Sequence, residues 1–263
     1  MATVTPPHLF NRYELKYVID LPRAAALRAD LADWMVVDTL GSPDGIYPLW
    51  NLYFDSPGLR FYREKIDGQS YRRKVRIRHY GMPWELTADR TVWVEVKQRI
   101  ARATQKRRAP MSYRDALALC CNGTIPEHDE RDASFLEEVA CLVHENGLEP
   151  TVVVGYQREA LMGTAYDPGL RITFDRRLLG RARDLDLRIE GNARTILPQH
   201  RVVLEVKIDE KAPRWLTLML AKHNLWVGRL SKYCLAIEEC EVDAHTLTHP
   251  TERLLDLLEE KTP

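Results

Sequence analysis

The amino-acid sequence predicts an α+β protein in which an antiparallel β-sheet closes into a barrel with helices packed outside. Three observations favour this fold class: long segments alternate in residue type with period two, helical segments lie between them, and no low-complexity linker divides the 263 residues. Such alternation is typical of strands with one buried face. Long strands joined by hairpins and irregular crossovers favour a barrel. We therefore expect a single domain over residues 1–263.

The individual strands follow from this alternation and from the turn residues that separate the segments. Ser56-Pro57-Gly58 closes one predicted strand, and a loop around Gly81-Met82-Pro83 separates two others. The predicted strands cover residues 10–20, 47–55, 70–80, 91–100, 151–161, 170–179 and 201–208.

Proline, glycine and one capping motif mark the predicted helices. Pro22 opens a helical run, and Pro213 stands where the first turn of a helix tolerates proline. Gly147 is a helix stop, and Ser112-x-x-Asp115 resembles a capping box. The predicted helices cover residues 22–35, 112–121, 132–146 and 213–225, a segment near residue 232, and an amphipathic tail at 251–261.

The charges of the chain balance overall but are segregated along it. Asp and Glu together number 38, as do Lys and Arg, yet residues 60–108 hold 15 Lys and Arg against 5 Asp and Glu. A basic block inside a neutral chain indicates an anionic partner bound at one site. General coating of nucleic acid is not expected, because a domain with that function is usually basic throughout.

Cysteine spacing and hydropathy predict the compartment. The five cysteines show no C-x-x-C spacing, so a zinc site is not expected and free thiols in a reducing compartment are the simple interpretation. The N-terminal residues lack the pattern of a signal peptide, and no segment approaches the ~20 apolar residues of a membrane span. We expect a soluble, cytoplasmic protein without a membrane span.

Charged residues share one face of four predicted strands, since residues i, i+2 and i+4 lie on the same side. An ordinary amphipathic strand with its charged face in water would explain any one of them. The same Glu-x-Lys spacing recurs in three strands, however, and several charged faces can converge on a barrel interior. Such an interior needs a highly charged ligand, for example a chain of phosphates with a divalent ion. The faces carry Arg12, Glu14 and Lys16; Arg72, Lys74, Arg76 and Arg78; Glu95, Lys97 and Arg99; and Glu205, Lys207 and Asp209.

Eight short motifs occur in the order found in one known family. They are ELKY, NLYFDSP, VRIRHYG, VWVEVK, GYQREA, LRITFD, VLEVK and LSKY. The sequence thereby resembles the polyphosphate polymerase domain of the VTC (vacuolar transporter chaperone) family, part of the triphosphate tunnel metalloenzyme superfamily with the CYTH triphosphatases. The resemblance covers about residues 11–237, which gives an expected core of about 10–240 followed by the helix at 251–261. It implies an eight-stranded antiparallel β-barrel tunnel with basic walls and helices outside.

The charged faces and the resemblance together give expected roles for individual residues. The metal, Mn²⁺ or Mg²⁺, is expected at Glu205, with Glu14 and Glu95 as further ligands. Substrate binding is expected from Arg12, Lys74, Lys106, Arg108, Lys207 and Lys232. The residues expected to act in catalysis are Lys16, Arg76, Arg78, Lys97, Arg158 and Arg171.

Together these features predict a metal-dependent polyphosphate polymerase that transfers the γ-phosphate of ATP to a growing polyphosphate chain. Arg12 stands where the CYTH-type first strand carries a glutamate, and fewer tunnel carboxylates favour polymerisation over hydrolysis. Two alternatives stay open: a tripolyphosphate or nucleoside triphosphatase of the same fold, and a non-catalytic polyphosphate-binding module. Asp175 is either a second metal ligand or a partner of Arg176 or Arg177. The sequence leaves the oligomeric state open.

Overall fold

The computed structural model describes residues 12–39, 42–100, 103–209 and 211–242. Antiparallel strands form one sheet in the order β1-β10-β8-β7-β3-β4-β5-β6, with short β2 and β9 pairing β7 and β8 beside this path. The strands are β1 (Arg12–Asp20), β2 (Met35–Val37), β3 (Ile46–Asp55), β4 (Tyr71–Tyr80), β5 (Thr91–Ile100), β6 (Ala103–Ser112), β7 (Glu149–Gly163), β8 (Arg171–Arg181), β9 (Arg194–Thr195) and β10 (Arg201–Asp209).

The sheet curls until strands far apart in its order meet. β1 and β5 stand first and seventh in the order, yet Lys97 Nζ on β5 lies 2.7 Å from Glu14 Oε2 on β1. Within the described ranges no backbone ladder joins β1 to β6, so the eight long strands form a curled half-barrel. The predicted α+β class and the eight-stranded antiparallel sheet are confirmed.

Two helical layers cover the convex face and pack against apolar residues of the strands. Helices α3 and α4 pack over β3, β4 and β5 in one core, and α1 and α5 pack over β1, β8 and β10 in another. These layers leave the charged residues on the concave face. The helices are α1 (Leu21–Asp30), α2 (Arg60–Ile66), α3 (Tyr113–Asn122), α4 (Ala133–Asn146), α5 (Arg214–Lys222) and α6 (Lys232–Glu239).

Helix α6 lies on the concave side of the sheet, unlike α1, α3, α4 and α5. Tyr233 packs against Tyr53 with ring centroids 5.1 Å apart, and Ile237 joins the same apolar cluster as Val152 and Val203. The sheet therefore holds α6 in its hollow next to the charged residues. The sequence analysis did not predict this position, because strand periodicity and a barrel with helices outside give no reason to place a helix within the sheet's hollow.

Most of the predicted helix caps and element boundaries are found in the structure. Ser112 Oγ accepts a hydrogen bond from the Asp115 backbone at 3.1 Å, and Gly147 ends α4 with φ of 58°. The helix predicted over 22–35 is too long, because α1 ends at Asp30 and β2 already begins at Met35. Alternation did not reveal β6, because its first half is a run of polar and basic residues. The tail predicted at 251–261 lies outside the described residues.

Candidate functional site

Strand register brings the predicted residues together on the concave face. Lys16 stands opposite Glu205 and Glu14 opposite Lys207, while Arg76 stands opposite Glu95. Two groups result. The Glu205 cluster consists of Glu14, Lys16, Lys97, Arg158, Asp175, Glu205, Lys207 and Lys232, and the Glu95 cluster consists of Arg76, Arg78, Glu95 and Lys106.

Glu205 is the centre of the first cluster, and only 5% of the residue is exposed. Lys232 Nζ lies 2.7 Å from its Oε1, and Lys16 Nζ lies 3.3 Å from the same oxygen. Arg158 and Lys207 lie at 3.5 and 3.8 Å from Oε2. Four cations thus converge on one carboxylate, which leaves the cluster with an excess of positive charge.

Asp175 and Glu14 supply the remaining negative charge of this cluster. Arg158 donates two hydrogen bonds to Asp175, at 2.6 and 2.7 Å, and Lys232 Nζ lies 2.6 Å from Asp175 Oδ2. Glu14 lies 3.1 Å from Lys16 Nζ and also accepts from Lys97. Of the two alternatives for Asp175, the pairing with Arg176 or Arg177 is wrong, because Asp175 faces the hollow and pairs with Arg158 and Lys232 while Arg176 donates to Glu159.

The electrostatics of this cluster keep its carboxylates ionised. Burial alone would raise the pKa of Glu205, but Lys16 and Lys232 outweigh it and lower that pKa well below its usual range. Burial likewise opposes the charged form of Lys16, yet Glu205 and Glu14 raise its pKa. Burial dominates at Lys207 and lowers its pKa to about 7. Lys207 is therefore only partly protonated near neutral pH and can take up a proton when a polyanion binds.

The Glu95 cluster is built around a bidentate arginine. Arg76 donates to Glu95 Oε2 through Nε at 2.8 Å and Nη2 at 2.5 Å, and its Nη1 donates to Tyr53 Oη. Lys106 Nζ lies 2.6 Å from Glu95 Oε1. Although burial opposes ionisation of Glu95, Arg76 and Arg78 lower its pKa well below its usual range. A planar guanidinium fixed in this way is oriented to donate to further oxygens.

Tyr156 connects the two clusters. Its hydroxyl accepts from Arg78 Nη2 at 3.3 Å, while Arg158 and Lys232 lie over its ring at 5.3 and 5.0 Å. Arg78 also donates to Asn51, which is fully buried. The concave face is therefore one continuous polar surface rather than two isolated ion-pair networks.

The other predicted residues lie around these clusters. Arg171 donates to Asp38 and to Tyr47, and Arg108 lies over the Trp93 ring at 4.2 Å. Lys74 Nζ donates to Ser231 Oγ at 2.6 Å, immediately before α6. Strand β1 begins at Arg12 opposite Asp209, but the side chain of Arg12 lies outside the described part of the protein.

Sequence reasoning missed several polar groups of the hollow. The Tyr53 hydroxyl accepts a hydrogen bond from Arg76 Nη1, and the Ser231 hydroxyl just before α6 accepts one from Lys74 on β4. Thr173 stands opposite Glu205, is fully buried, and its hydroxyl has no described hydrogen-bond partner. The motif LRITFD contained the only available signal for Thr173, because period two places it between two charged residues of one face.

The donor set fits a divalent ion only in part. Glu14 and Glu205 are joined through Lys16, whereas Glu95 belongs to the other cluster, so the structure does not bring the three predicted ligands together. Among the described residues no group of three or more acidic, histidine or cysteine side chains is placed to hold a metal. Hard divalent ions take about six oxygen ligands, so phosphate oxygens would have to complete any site at Glu14 and Glu205.

Comparison with known families decides the relationship of this chain. The sequence profile of the VTC domain matches residues 11–240. The chain belongs to the VTC domain family. No curated protein sequence matches it significantly. No described helix of this VTC domain is long and apolar enough to cross a membrane.

Two solved structures are similar to the chain at a low level. The PH1819 protein of Pyrococcus horikoshii is 13% identical with a TM-score of 0.44, over 87% of this chain and 99% of that one. A candidate adenylate cyclase of Bacillus halodurans is 12% identical with a TM-score of 0.47, over 84% of this chain and 95% of that one. The family assignment rests on the sequence profile alone.

Proposed function

We propose that this VTC domain is a polyphosphate polymerase that transfers the γ-phosphate of ATP to a growing polyphosphate chain within the hollow. The observation that carries the proposal is the excess of cations on the concave face. Among the described residues, eleven Lys and Arg side chains outnumber the carboxylates beside them, which are Glu14, Asp38, Asp55, Glu95, Asp175, Glu205 and Asp209. The cations are Lys16, Lys74, Arg76, Arg78, Lys97, Lys106, Arg108, Arg158, Arg171, Lys207 and Lys232.

An excess of partly buried positive charge favours a linear polyanion as ligand. Cations removed from water without partners are costly, and a polyphosphate chain supplies one or more negative charges per unit. Burial lowers the pKa values of Lys74 and Lys207 to about 7, and the negative charge of a bound phosphate chain would raise them. A single small anion would leave most of these cations uncompensated.

Phosphoryl transfer needs in-line positioning and neutralisation of the equatorial oxygens more than covalent chemistry by the protein. Arg76 and Arg158, each fixed by a carboxylate through two hydrogen bonds, would hold the β- and γ-phosphates of ATP in place. A terminal phosphate of the growing chain is already ionised, so it attacks the γ-phosphorus without a general base. ADP leaves as its bond to that phosphorus breaks.

A divalent ion held by Glu205 and Glu14 would neutralise charge on the transferred phosphate. The residues of the chain bind and orient the substrate around it. Glu14, Glu95, Asp175 and Glu205 each contact at least one Lys or Arg. The excess of cations beside these carboxylates favours an anionic phosphate acceptor over a neutral water molecule.

The test is incubation of the purified protein with ATP and Mn²⁺, with long polyphosphate followed on a gel and ADP and free phosphate measured in parallel. We expect polyphosphate in step with ADP, abolished by EDTA and by Glu205→Ala or Arg76→Ala. Arg107→Ala is the matched control, because Arg107 pairs with Glu138 away from the hollow. Free phosphate without polymer would show that the protein is a triphosphatase. Polyphosphate binding without turnover of ATP would show that it is a binding module.

A further inference from the structure

The segment before α6 crosses one end of the hollow. The Gly228 backbone donates to the Lys16 carbonyl on β1 at 2.7 Å, and three residues later Ser231 Oγ accepts from Lys74 on β4. β1 and β4 stand first and sixth in the sheet order, so these four residues connect strands that are not neighbours. The segment lies at the end of the hollow where β4 begins and β5 ends, which we call the α6 end.

Helix α6 fills only one side of this end. Its apolar residues pack on β3, β7, β8 and β10, through Tyr53, Val152, Leu178 and Val203 among others. The β4 and β5 side remains accessible, because Lys97 keeps 36% of its side chain exposed and Lys74 is only partly buried. The interior therefore reaches solvent past the N-terminus of α6 along β4 and β5.

Four cations outside the two clusters surround this opening, and we call them the mouth cluster. Arg72 and Arg99 stand opposite each other on β4 and β5, two register positions beyond Lys74 and Lys97 and on the same face. Lys65 lies in α2, which leads into β4, and Arg229 lies within the crossing segment. All four are exposed or partly exposed.

Like charges gather at this opening. Among ion pairs between described residues, none involves Lys65, Arg72 or Arg229. Burial first, and then Arg99 and Arg229, lower the pKa of Arg72, as expected for cations placed close together. Burial and then Arg72 lower the pKa of Lys65 in the same way. Grouped cations of this kind concentrate polyanions in front of them.

We propose that the mouth cluster is a second polyphosphate-binding site, which holds the part of a long chain that emerges past α6. The inference rests on the proposed function, because it takes the ligand of the hollow to be polyphosphate. Lys74 and Lys97 are followed on the same face of β4 and β5 by Arg72 and Arg99, so a linear chain that leaves the hollow passes from one pair of cations to the next. Tripolyphosphate is short enough to stay within the hollow, so only long chains reach the mouth cluster.

The experiment compares binding of long-chain polyphosphate and of tripolyphosphate across a salt series. The test variant neutralises three members of the mouth cluster together, as Lys65→Gln, Arg72→Gln and Arg229→Gln. The control removes the same charge from exposed positions on the helical side, as Arg23→Gln, Arg131→Gln and Arg214→Gln. Polymer length in the ATP reaction is the second readout.

Each phosphate contact that is lost lowers the dependence of log K on log salt by roughly 0.7, as for single-stranded polyanions. Three lost contacts lower it by about 2, so the advantage of the wild type over the test variant shrinks about 16-fold between 50 and 200 mM salt. Tripolyphosphate should bind the test variant, the control and the wild type alike. The test variant should also release shorter polymer.

Long-chain binding by the test variant that equals the control overturns the proposal. Equal weakening for tripolyphosphate and long chains also overturns it, because the three residues would then act on the hollow. If the wild type binds both ligands as expected but makes no polymer, the proposed reaction fails while the mouth cluster stands. If the wild type binds neither ligand, the proposed function and this inference fail together.

Discussion

Removal of the central carboxylate tests whether the Glu205 cluster faces a phosphate-binding interior. Glu205→Gln keeps the size of the side chain but leaves Lys16, Lys207, Arg158 and Lys232 around a neutral amide. The folded protein then holds these four cations close together with one fewer negative charge among them. We expect the variant to be less stable without ligand and to gain more stability than the wild type from a polyanion.

The size of the loss follows from the surroundings of Glu205. Breaking a buried ion pair by removing one partner costs about 3–5 kcal/mol. Lys16 and Lys207 each keep 22% of their side chains exposed, and Asp175 still compensates Arg158 and Lys232, so the low end applies. A loss of ~3 kcal/mol lowers Tm by about 6–12 °C for a domain of this size.

The assay is thermal unfolding in EDTA, with and without tripolyphosphate. A ligand at 100 times its Kd adds about 2.7 kcal/mol, which would bring the variant close to the unliganded wild type. Asp186→Asn is the matched control, because Asp186 is 2% exposed and paired with Arg188 and Tyr113 away from the hollow. If tripolyphosphate raises Tm of both variants equally, the cations around Glu205 do not face a phosphate site and the reasoning is wrong.

Two further substitutions test single features of the hollow. The pKa of Lys74 is about 7 in the folded protein, chiefly because of burial, against 10.5 in the unfolded chain. Between pH 7 and 10.5 the unfolded chain therefore binds more protons than the folded protein, so the free energy of unfolding rises with pH. Lys74→Met should reduce this rise in stability between pH 7 and 10 by about 1–2 kcal/mol, a value discounted for the partial exposure of Lys74. Urea unfolding at each pH measures the rise, and an unchanged slope would contradict the low pKa of Lys74. Arg76→Lys cannot keep two bonds to Glu95 and one to Tyr53, so turnover should fall about 100-fold, whereas Arg107→Lys should retain it. Equal turnover in the two variants would argue against a positioned guanidinium.

The sheet was predictable because its strands follow period two and end at clear turn residues. Strand β5 occupies the predicted residues 91–100, and β3 and β4 each differ by one residue at their start. Strand β6 was not predictable in the same way, because a run such as Gln105 to Arg108 lacks an apolar face. Its identity as a strand depends on pairing with β5, which is a long-range contact.

The charged faces of the site were predictable for the same reason, but its partners were not. Period two places Glu205 and Lys207 on one face, and register then decides that Lys16 meets Glu205. The pairing of Asp175 with Lys232 depends on α6 entering the hollow, which no local pattern encodes. Side chains that act through tertiary contacts are therefore the ones that sequence reasoning missed.

The position of α6 explains how a hollow with so many cations can fold before any ligand is bound. Lys232 adds a further cation, but it lies between Asp175 and Glu205 at 2.6 and 2.7 Å and so joins two carboxylates that would otherwise repel each other. The same helix buries Tyr233 and Ile237 against the sheet, so apolar packing stabilises the position of the ammonium group. A phosphate that binds Lys232 must therefore compete with Asp175 and Glu205 for an ammonium group whose position is fixed by the helix. Binding affinity in the hollow is then set by the difference between ligand contacts and these internal ion pairs.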